Sequence, residues 1–410
     1  EPIQSLRPEL QPREFLHQIR AVTRETGIPM IFDEIITGFR LHPRGAQAWF
    51  DVEVDIACYG KVIGGGFPVG VVAGKAKYLD ALDGGQWRFG DDSFPEVGMT
   101  YFAGTFIRHP VALAAVHAVL QYLKQQGPEL QQGVNRRTAL FAEEINRQYR
   151  RRGVPIELSY FGSVFLPRFN GNPDFEGLFH HHLRFYGAHH IWGRRPGFLT
   201  AAHTDSDIQS LIKSFIDTAE AMQQGGFLPA LESQPRQHYP WTTTQSELWL
   251  AIKMGPSASA AYNEQVMFEI EHDLDPTALE LALDKVLNRH PSLRAVVDAD
   301  EAGLTLLPYM SPQFAYRDLL SVAEEERDAA VRQQAQDHID QPFDFFQGPL
   351  LRMLLMRVAE RRYILCVCAS HLVCDGWSLE IVMEDIAAYY TGICQGRHMQ
   401  RRPVPSLDEL

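Results

Sequence analysis

Two groups of residues in this sequence have types and spacing that could do chemistry, and the first is a pair. Asp33 lies in the apolar run PMIFDEII at 29–36, and Lys61 follows in the Gly-rich segment YGKVIGGGFPVG. A partly desolvated lysine can lose its proton, and the neutral amine can form a Schiff base with an aldehyde. A carboxylate at a strand end can keep a pyridine nitrogen protonated, which makes that ring an electron acceptor. The pair predicts a pyridoxal phosphate site, although by spacing alone a capping aspartate and a solvated lysine are more usual.

The second group is His371 with Asp375, which follow the apolar segment ILCVCA at 364–369. Gly376 can then turn the chain into a helix. A histidine at a strand end and an aspartate four positions later can face one another across a tight turn. Such a histidine could act as a base or as a hydrogen-bond anchor for an attacking amine. On the HxxxDG spacing alone, a strand-to-helix loop with a capping aspartate is the more usual interpretation.

The elements that must position these residues alternate between helical and strand-like patterns. Helical spacing covers residues 13–26, 110–124, 137–152, 204–223, 275–289, 319–338 and 378–391. Strand-like runs cover residues 29–36, 262–270, 293–298, 349–358 and 362–369. Helices that alternate with buried strands are typical of α/β layers. We therefore predict an α/β fold for both halves of the chain.

A segment rich in proline and glycine separates the two halves. Residues 225–243 read GGFLPALESQPRQHYPWTT, in which three prolines and two glycines interrupt every period. Such a composition is typical of a linker. We expect one domain over 1–224, a linker over 225–243 and a second domain over 244–410. Because the chain opens on Glu1 and stops after SLDEL, we also expect it to be cut from something longer.

Composition limits the classes of function. The chain has 410 residues, which fits two or three domains, and a formal net charge of −13 without a basic block. Such a charge opposes binding to nucleic acid or to an anionic membrane surface. Five cysteines without a CxxC pair indicate reduced, cytoplasmic usage, and no segment has the pattern of a signal peptide or a membrane span.

A cluster of histidines invites a metal interpretation, which we do not adopt. The cluster consists of His180, His181, His182, His189 and His190. Three consecutive histidines on a helix point about 100° apart and cannot all face one ion. We therefore predict no metal site and expect some of these side chains to line a substrate entrance.

Three ordered motifs in the first half resemble one known family. They are IFDEIITGFR at 31–40, YGKVIGGGFPVG at 59–70 and TYFAGTFIRHP at 100–110. Together they resemble the class III aminotransferases, most of all the glutamate-1-semialdehyde aminomutase branch, over about residues 1–224. The resemblance implies part of a PLP-dependent transferase of fold type I. The family's earlier phosphate-binding turn and ring-stacking aromatic residue have no counterpart here, so we expect only the C-terminal part of the domain.

The resemblance also implies a role for each motif residue. Lys61 would bind pyridoxal 5'-phosphate covalently and shuttle protons, Asp33 would pair with the pyridine nitrogen, and Ile35 would pack on one face of the ring. Gly104 and Thr105 would reach the phosphate held by the neighbouring subunit, which implies a homodimer. The alternative for Gly104 and Thr105 is an ordinary turn before a helix.

Four ordered motifs in the second half resemble another family. They are TTTQSELWLA at 242–251, NRHPSLRAVV at 288–297, PFDFFQGPLLRMLLMRV at 342–358 and SHLVCDGWS at 370–378. They resemble the condensation domains of nonribosomal peptide synthetases. The resemblance implies the N-terminal lobe of a chloramphenicol-acetyltransferase-like fold.

The last of these motifs departs from the family at one position. The family pattern is HHxxxDG, and its first histidine is Ser370 here, while the second, working histidine is His371. By the same resemblance Asp375 is structural and pairs with Arg352, and Gly376 leaves room for the pantetheine arm of a carrier. We therefore expect a functional site with His371 as its catalytic residue.

The order of the two resemblances implies a biosynthetic context, the hybrid polyketide and nonribosomal peptide synthetases. There, a β-ketoacyl thioester is converted to a β-aminoacyl thioester with an amino acid as donor, and an amide bond then forms. The implied partners are acyl carrier and peptidyl carrier domains that bear phosphopantetheine. Two alternatives stay open: a free-standing class III transaminase acting on a small molecule, and a non-catalytic module that binds carrier proteins.

Overall fold

The computed structural model describes residues 1–2, 12–100, 103–170, 175–188, 195–234, 236–399, 401–402 and 404. Both halves contain helices and strands mixed along the chain, so the α/β class predicted for both halves is confirmed. The elements of the first half are α1 (Arg13–Thr26), β1 (Ile31–Asp33), α2 (Gly45–Phe50), β2 (Ile56–Gly60), β3 (Gly70–Gly74), α3 (Ala76–Asp83), α4 (Pro110–Gln126), α5 (Glu129–Arg152), β4 (Ile156–Phe161), β5 (Val164–Phe169), α6 (Glu176–Phe185), β6 (Gly197–Phe198) and α7 (Asp205–Gln224).

The second half contains more strands and begins within the predicted linker. Its elements are β7 (Gln237–Pro240), α8 (Thr243–Ile252), α9 (Pro256–Ala261), β8 (Asn263–Ile270), α10 (Pro276–Arg289), β9 (Ala295–Val297), β10 (Gly303–Leu306), β11 (Gln313–Asp318), α11 (Glu324–Asp340), β12 (Leu351–Ala359), β13 (Arg362–Ser370) and α12 (Gly376–Gln395). Within the described residues, the strands form four small sheets with the orders β1-β2-β3, β4-β5-β6, β7-β10-β9 and β11-β12-β13-β8.

Two of the sheets carry the predicted site residues. In the first, β1 and β2 are parallel, while β3 runs antiparallel to β2. In the second, β13 lies between β12 and β8 and is antiparallel to both. Because β13 is almost wholly buried, it reads as a continuous apolar run without alternation.

Helix positions follow the sequence pattern closely, with two differences at their starts. Helix α5 begins at Glu129, directly after Pro128, which is well suited to a helix start. Helix α11 begins only at Glu324, because the Asp318 carboxylate accepts a hydrogen bond from the Leu320 amide at 3.0 Å and holds a turn there. The predicted strand over 29–36 is reduced to the three residues of β1.

The predicted linker of residues 225–243 includes an ordered strand. Strand β7 pairs antiparallel with β10, and Gly303 of β10 lies opposite Pro240. A Cβ atom at Gly303 would lie 2.2 Å from the Tyr239 carbonyl oxygen, so only glycine fits this close approach. Strand β7 is an edge strand, where proline is tolerated, so the prolines that make the sequence resemble a linker do not prevent a strand here.

The largest hydrophobic core contains residues from both halves of the chain. Helix α5 of the first half packs against α10 and α12 of the second. The buried side chains at this junction include Phe141, Ile145, Leu283, Val286 and Ile386. Of the helices in the described ranges, none combines the length and the hydrophobicity that a bilayer crossing requires.

Candidate active sites

Asp33 and Lys61 lie at the same edge of the first sheet. Asp33 ends β1 and pairs with Cys58 of the parallel strand β2, and Lys61 directly follows the last residue of β2. Ligands of parallel α/β sheets bind outside the carboxyl ends of the strands. The structure thus brings together at this edge the two residues that the sequence pairs.

Glu34 determines how the chain leaves β1, and the sequence analysis did not identify it. Its buried carboxylate accepts hydrogen bonds from Thr37 Oγ1 at 2.6 Å, from the Ala46 amide at 2.9 Å and from the Gln47 amide at 3.1 Å. Gly45 has a φ of 66°, and a Cβ there would lie 2.6 Å from the carboxylate. Glu34 therefore ends β1 directly after Asp33 and fixes the direction in which the chain leaves this strand.

Lys61 has an unusual backbone conformation. Its φ is 46°, in the left-handed region that residues other than glycine rarely adopt. Residues held in such conformations concentrate at functional sites. A Cβ at the preceding Gly60 would crowd the Val69 carbonyl oxygen at 3.2 Å and would lie in ordinary contact with Ile35 Cγ2 at 3.6 Å. Ile35 therefore packs beside the lysine turn, and Lys61 itself is exposed.

The Asp33 carboxylate is only partly engaged by the protein. Its Oδ1 atom accepts a hydrogen bond from the Ile35 amide at 3.0 Å, and the side chain is exposed. Within the described ranges, the second oxygen has no hydrogen-bond partner in the protein. An acceptor oxygen and an exposed lysine at the same sheet edge fit the donor and acceptor set of a protonated pyridine aldehyde.

Gly104 and Thr105 lie in the turn before α4, and both are exposed. The Ile107 amide donates to the Gly104 carbonyl at 3.1 Å, which closes the turn. Helix α4 packs on the loop after Lys61, where a Cβ at Gly65 would lie 3.0 Å from Val119 Cγ2. The first part of this motif, residues 101–102, lies outside the described residues.

The histidine cluster divides between the core and the surface of α6. His180 is buried against Phe169 and Phe179, and burial lowers its pKa. His181 is exposed, so consecutive side chains do point in different directions. His189 and His190 lie outside the described residues. In the ranges that the structure describes, no group of three potential metal ligands converges.

The second candidate site is at the end of β13. Ser370 is fully buried, and its Oγ accepts a hydrogen bond from the Leu372 amide at 3.3 Å. His371 follows on the other face, where its side chain is 40% exposed. It lines a cavity of about 460 Å³ between α8, β10 and the start of α12. The two neighbouring positions thus have different environments, and only His371 faces the cavity.

Asp375 does not make the ion pair with Arg352 that the resemblance implied, and this expectation is wrong. Its Oδ1 accepts hydrogen bonds from the Ser378 amide at 2.8 Å and Ser378 Oγ at 2.6 Å, so it caps α12. These bonds to Ser378 lower the pKa of Asp375, with a smaller contribution from His371. The capping role that the spacing alone favoured is the observed one.

Arg352 is buried on β12 and is bound by backbone carbonyls instead. Its Nη2 donates at 2.6 Å both to the His338 carbonyl and to the Gln341 carbonyl, and its guanidinium lies 4.0 Å from the centre of the Phe343 ring. Burial lowers the pKa of Arg352. Because these carbonyls end α11, Arg352 fixes that helix end to the strand beside β13.

The carboxylate beside His371 is that of Glu264, which the sequence analysis missed. Its Oε2 lies 3.6 Å from His371 Nε2. A Cβ at Gly376 would lie 3.1 Å from Glu264 Oε1, so Gly376 leaves room for this carboxylate. In the sequence, Glu264 is recognisable only as a charged residue at the start of a strand. Its position there does not show that β8 pairs with β13.

Two protein families match the two halves of the chain. Residues 1–165 match the family model described as aminotransferase class-III, and residues 235–408 match the condensation domain model. The first match contains Asp33, Lys61 and Thr105, and the second contains His371.

Among the curated proteins, glutamate-1-semialdehyde 2,1-aminomutases are similar to the first half. That of Desulfotalea psychrophila (strain LSv54 / DSM 12343) is 35% identical over 208 residues, which are 48% of this chain and 45% of the relative. That of Desulfitobacterium hafniense (strain DSM 10664 / DCB-2) is 32% identical over 221 residues, 51% of this chain and 48% of the relative. The chain therefore spans about half the length of the curated relatives it matches.

Solved structures similar to each half also exist. The starter condensation domain of rhizomide synthetase matches at 25% identity and a TM-score of 0.37, covering 40% of both chains. An omega-transaminase from Sphaerobacter thermophilus matches at 26% identity and a TM-score of 0.44, covering 52% of this chain and 49% of that one. Along this chain, a match to the aminotransferase class-III family over residues 1–165 is thus followed by a match to the condensation domain family over residues 235–408.

Proposed function

We propose that this chain catalyses two consecutive reactions in a hybrid polyketide and nonribosomal peptide synthetase. In the first, a β-ketoacyl thioester on an acyl carrier domain becomes a β-aminoacyl thioester, with an amino acid as the amino donor. In the second, the condensation segment forms an amide bond between an acyl donor and an aminoacyl acceptor. We assign the first reaction to residues 1–224 and the second to residues 244–410, with residues 225–243 as their connection.

One observation supports this proposal most strongly. A single chain places Asp33 and Lys61 at one edge of a parallel strand pair and His371 on a cavity in a second sheet. Each group lies within the matching family segment, in the order aminotransferase and then condensation domain. A free-standing transaminase accounts for the first group only.

In the aminotransferase segment, the described residues suit pyridoxal 5'-phosphate as the cofactor. When bound, it supplies an electron sink for a carbanion next to nitrogen. The Asp33 carboxylate would accept a hydrogen bond from the protonated ring nitrogen, and Ile35 would exclude water from one ring face. The Lys61 amine would hold the cofactor and would take the proton from the substrate carbon that bears the nitrogen. Gly104 and Thr105 would donate to the phosphate bound by the partner subunit.

In the condensation segment, His371 is the residue proposed to act on the acceptor. It takes a proton from the neutral attacking amine as the amine nitrogen bonds to the thioester carbonyl carbon. The carbon–sulfur bond then breaks, and the leaving thiolate takes up the proton. Asp375 holds the turn by capping α12, and Gly376 leaves space beside the ring.

The partners of both segments follow from this chemistry. The thioesters require carrier domains with phosphopantetheine arms, and the shared phosphate site requires a homodimer of the aminotransferase segment. We propose that the protein works in the cytoplasm, where its substrates on carrier domains are made. Nucleic acid and membranes have no role in either reaction.

The proposal is tested with the parent protein that contains both segments in full. The upstream carrier is loaded with a β-ketoacyl thioester, and pyridoxal phosphate and a mixture of amino acids are added. Mass spectrometry of the carrier should show replacement of the ketone oxygen by an amine. A free β-keto acid should react far more slowly. Equal rates for the free acid and the carrier-bound thioester would contradict the assignment of a carrier substrate.

A further inference from the structure

We propose that Glu264 is the positioning residue for His371, and that it holds a proton on the Nε2 atom of that ring. The inference rests on the proposed condensation function, because it names the group through which the catalytic histidine is oriented. It adds to the site a carboxylate from strand β8, outside the HxxxDG segment.

The backbone places the two side chains side by side. Strands β8 and β13 are antiparallel neighbours, with Asn263 opposite Ser370 and Glu264 opposite Ala369. The His371 amide continues this pairing by donating to the Tyr262 carbonyl at 2.9 Å. The position of His371 is therefore fixed by the same strand that carries Glu264, and no flexible loop separates them.

The Glu264 carboxylate has an unsatisfied oxygen that faces the ring. Its Oε2 atom is buried without a hydrogen-bond partner among the residues that the structure describes, and it lies 3.6 Å from His371 Nε2. A buried acceptor without a partner is costly, so a small rotation that brings Nε2–H into hydrogen-bond range is favoured. Hydrogen bonds of catalytic groups are often long without substrate and tighten in the reactive complex.

The other charged groups around His371 cannot do this. The Asp375 Oδ1 atom is occupied by the two donors of Ser378. Burial, with Asp375 and Glu264, raises the pKa of the Cys374 thiol to about 12, so Cys374 is neutral. Among the described residues that line the cavity, none is a lysine or an arginine. His371 is thus the group that can take positive charge there, and Glu264 carries a carboxylate oxygen 3.6 Å from its Nε2 atom.

Gly376 keeps the carboxylate in place. A Cβ at position 376 would lie 3.1 Å from Glu264 Oε1, which is tighter than an ordinary contact. Any side chain at this position would push the carboxylate away from its present site. The Glu264 carboxylate therefore occupies space that a side chain at position 376 would need. This holds whether or not another group also approaches that turn.

This arrangement has a chemical consequence for the ring. An acceptor at Nε2 keeps the neutral imidazole in one tautomer, with its proton on Nε2 and Nδ1 as the basic nitrogen. The negative charge also stabilises the imidazolium that forms when the ring takes the proton of the attacking amine. Glu264 thus acts through His371 and touches neither substrate.

The direct test is the tautomer of His371 in the 410-residue chain. The chain is labelled with ¹⁵N-histidine, and the His371 signals are assigned by their loss in His371→Gln. At a pH where the ring is neutral, one tautomer with the proton on Nε2 is expected. Glu264→Ala should give a mixture of both tautomers, and Gly376→Ala should move the signals in the same direction. Glu269→Ala is the matched control, because Glu269 is an exposed carboxylate of the same strand, and it should change nothing.

The second test is amide formation by the parent protein with a complete condensation domain. Glu264→Ala should lower kcat about ten- to hundredfold with KM for the aminoacyl acceptor nearly unchanged, as expected for a group that orients a base. Glu264→Gln keeps an acceptor oxygen and should recover part of the loss. Glu269→Ala should retain the wild-type rate.

The outcomes separate this inference from the function on which it rests. An unchanged tautomer in Glu264→Ala, or an unchanged kcat, overturns the positioning role even if His371 proves essential. If His371→Ala forms amide at the wild-type rate, the proposed catalytic function fails, and the positioning role fails with it. A changed tautomer together with a lower kcat supports the inference.

Discussion

Glu143 of the first half and Lys285 of the second form a buried ion pair at the junction of the two halves. Glu143 also accepts a hydrogen bond from Tyr160 at 3.0 Å. Burial favours a raised pKa for Glu143, but Lys285, Arg150 and His398 outweigh it, and the pKa is lowered. The carboxylate is therefore charged, and its charge is balanced by a residue from the other segment.

Removing one partner of this pair should cost much more than removing a surface partner. Lys285→Met leaves the Glu143 carboxylate buried without its cation, and we expect a loss of about 3–5 kcal/mol in the free energy of unfolding. The matched control is Lys253→Met, which breaks the exposed pair with Glu301 and should cost at most about 1 kcal/mol. Urea denaturation of the three proteins measures both values. Similar losses for the two variants would show that the junction pair is not effectively buried.

The acid stability of the first half should depend on Asp55. The hydrogen bond from Arg20 is the largest cause that lowers the pKa of Asp55; burial opposes it, and the Met30 amide adds to it. A carboxyl group with a folded pKa below its unfolded value of about 3.9 stabilises the protein above that pH, and the stabilisation is lost as the pH falls. Asp55→Asn should therefore be less stable at pH 7 and should lose less stability on acidification.

The measurement for Asp55 is urea unfolding of wild type and variant at several values between pH 7 and pH 3. Asp92→Asn serves as the control, because Asp92 is exposed, and its curve should follow that of the wild type. Parallel curves for wild type and Asp55→Asn would contradict this prediction.

Lys61 and Asp33 should have separable effects in the parent protein. After borohydride reduction, mass spectrometry should find the cofactor attached to the peptide that contains Lys61, and Lys61→Ala should abolish both attachment and amine transfer. Asp33→Asn should retain bound cofactor but lose most of the rate, because an unprotonated pyridine is a poor electron sink. The exposed Lys77→Ala is the control lysine and should behave as wild type. Amine transfer by Lys61→Ala at the wild-type rate would contradict the role assigned to Lys61.

Thr105 should act on the cofactor of the other subunit. Thr105→Ala should weaken cofactor binding by about 1.5–3 kcal/mol, the value of one hydrogen bond to a charged group. Mixed dimers of Lys61→Ala and Thr105→Ala subunits contain one site with both groups intact and should recover wild-type affinity at that site. Titration of the mixture with cofactor measures this. A mixture that binds no better than Thr105→Ala alone places the residue in its own subunit's site or outside any site.

Much of the fold could be predicted because local patterns determine it. The apolar period of α12 and the continuous apolar run of β13 depend on burial alone, and both lie where the sequence predicts them. The apolar runs likewise predicted that Asp33 and His371 lie at strand ends, as they do in the structure. Lys61 was expected in a loop between elements, and it directly follows β2.

The remaining features depend on contacts between distant segments, which no local pattern contains. Glu264 reaches His371 only because β8 pairs with β13, and Glu34 ends β1 through amides twelve and thirteen positions later. Arg352 binds carbonyls at the end of α11, so the expected pair with Asp375 does not form.

The measurement that tests the central claim most directly is amide formation by variants of the parent protein, with the upstream carrier followed by mass spectrometry. His371→Ala should accumulate the β-aminoacyl thioester on the carrier and form little or no amide, since only the second reaction lacks its base. Ser370→Ala should change little, because Ser370 is buried away from the cavity. Asp375→Ala should lower both the stability of the folded protein and the rate of amide formation, since it removes the cap of α12. Wild-type amide formation by His371→Ala, or a greater loss in Ser370→Ala, would contradict the account.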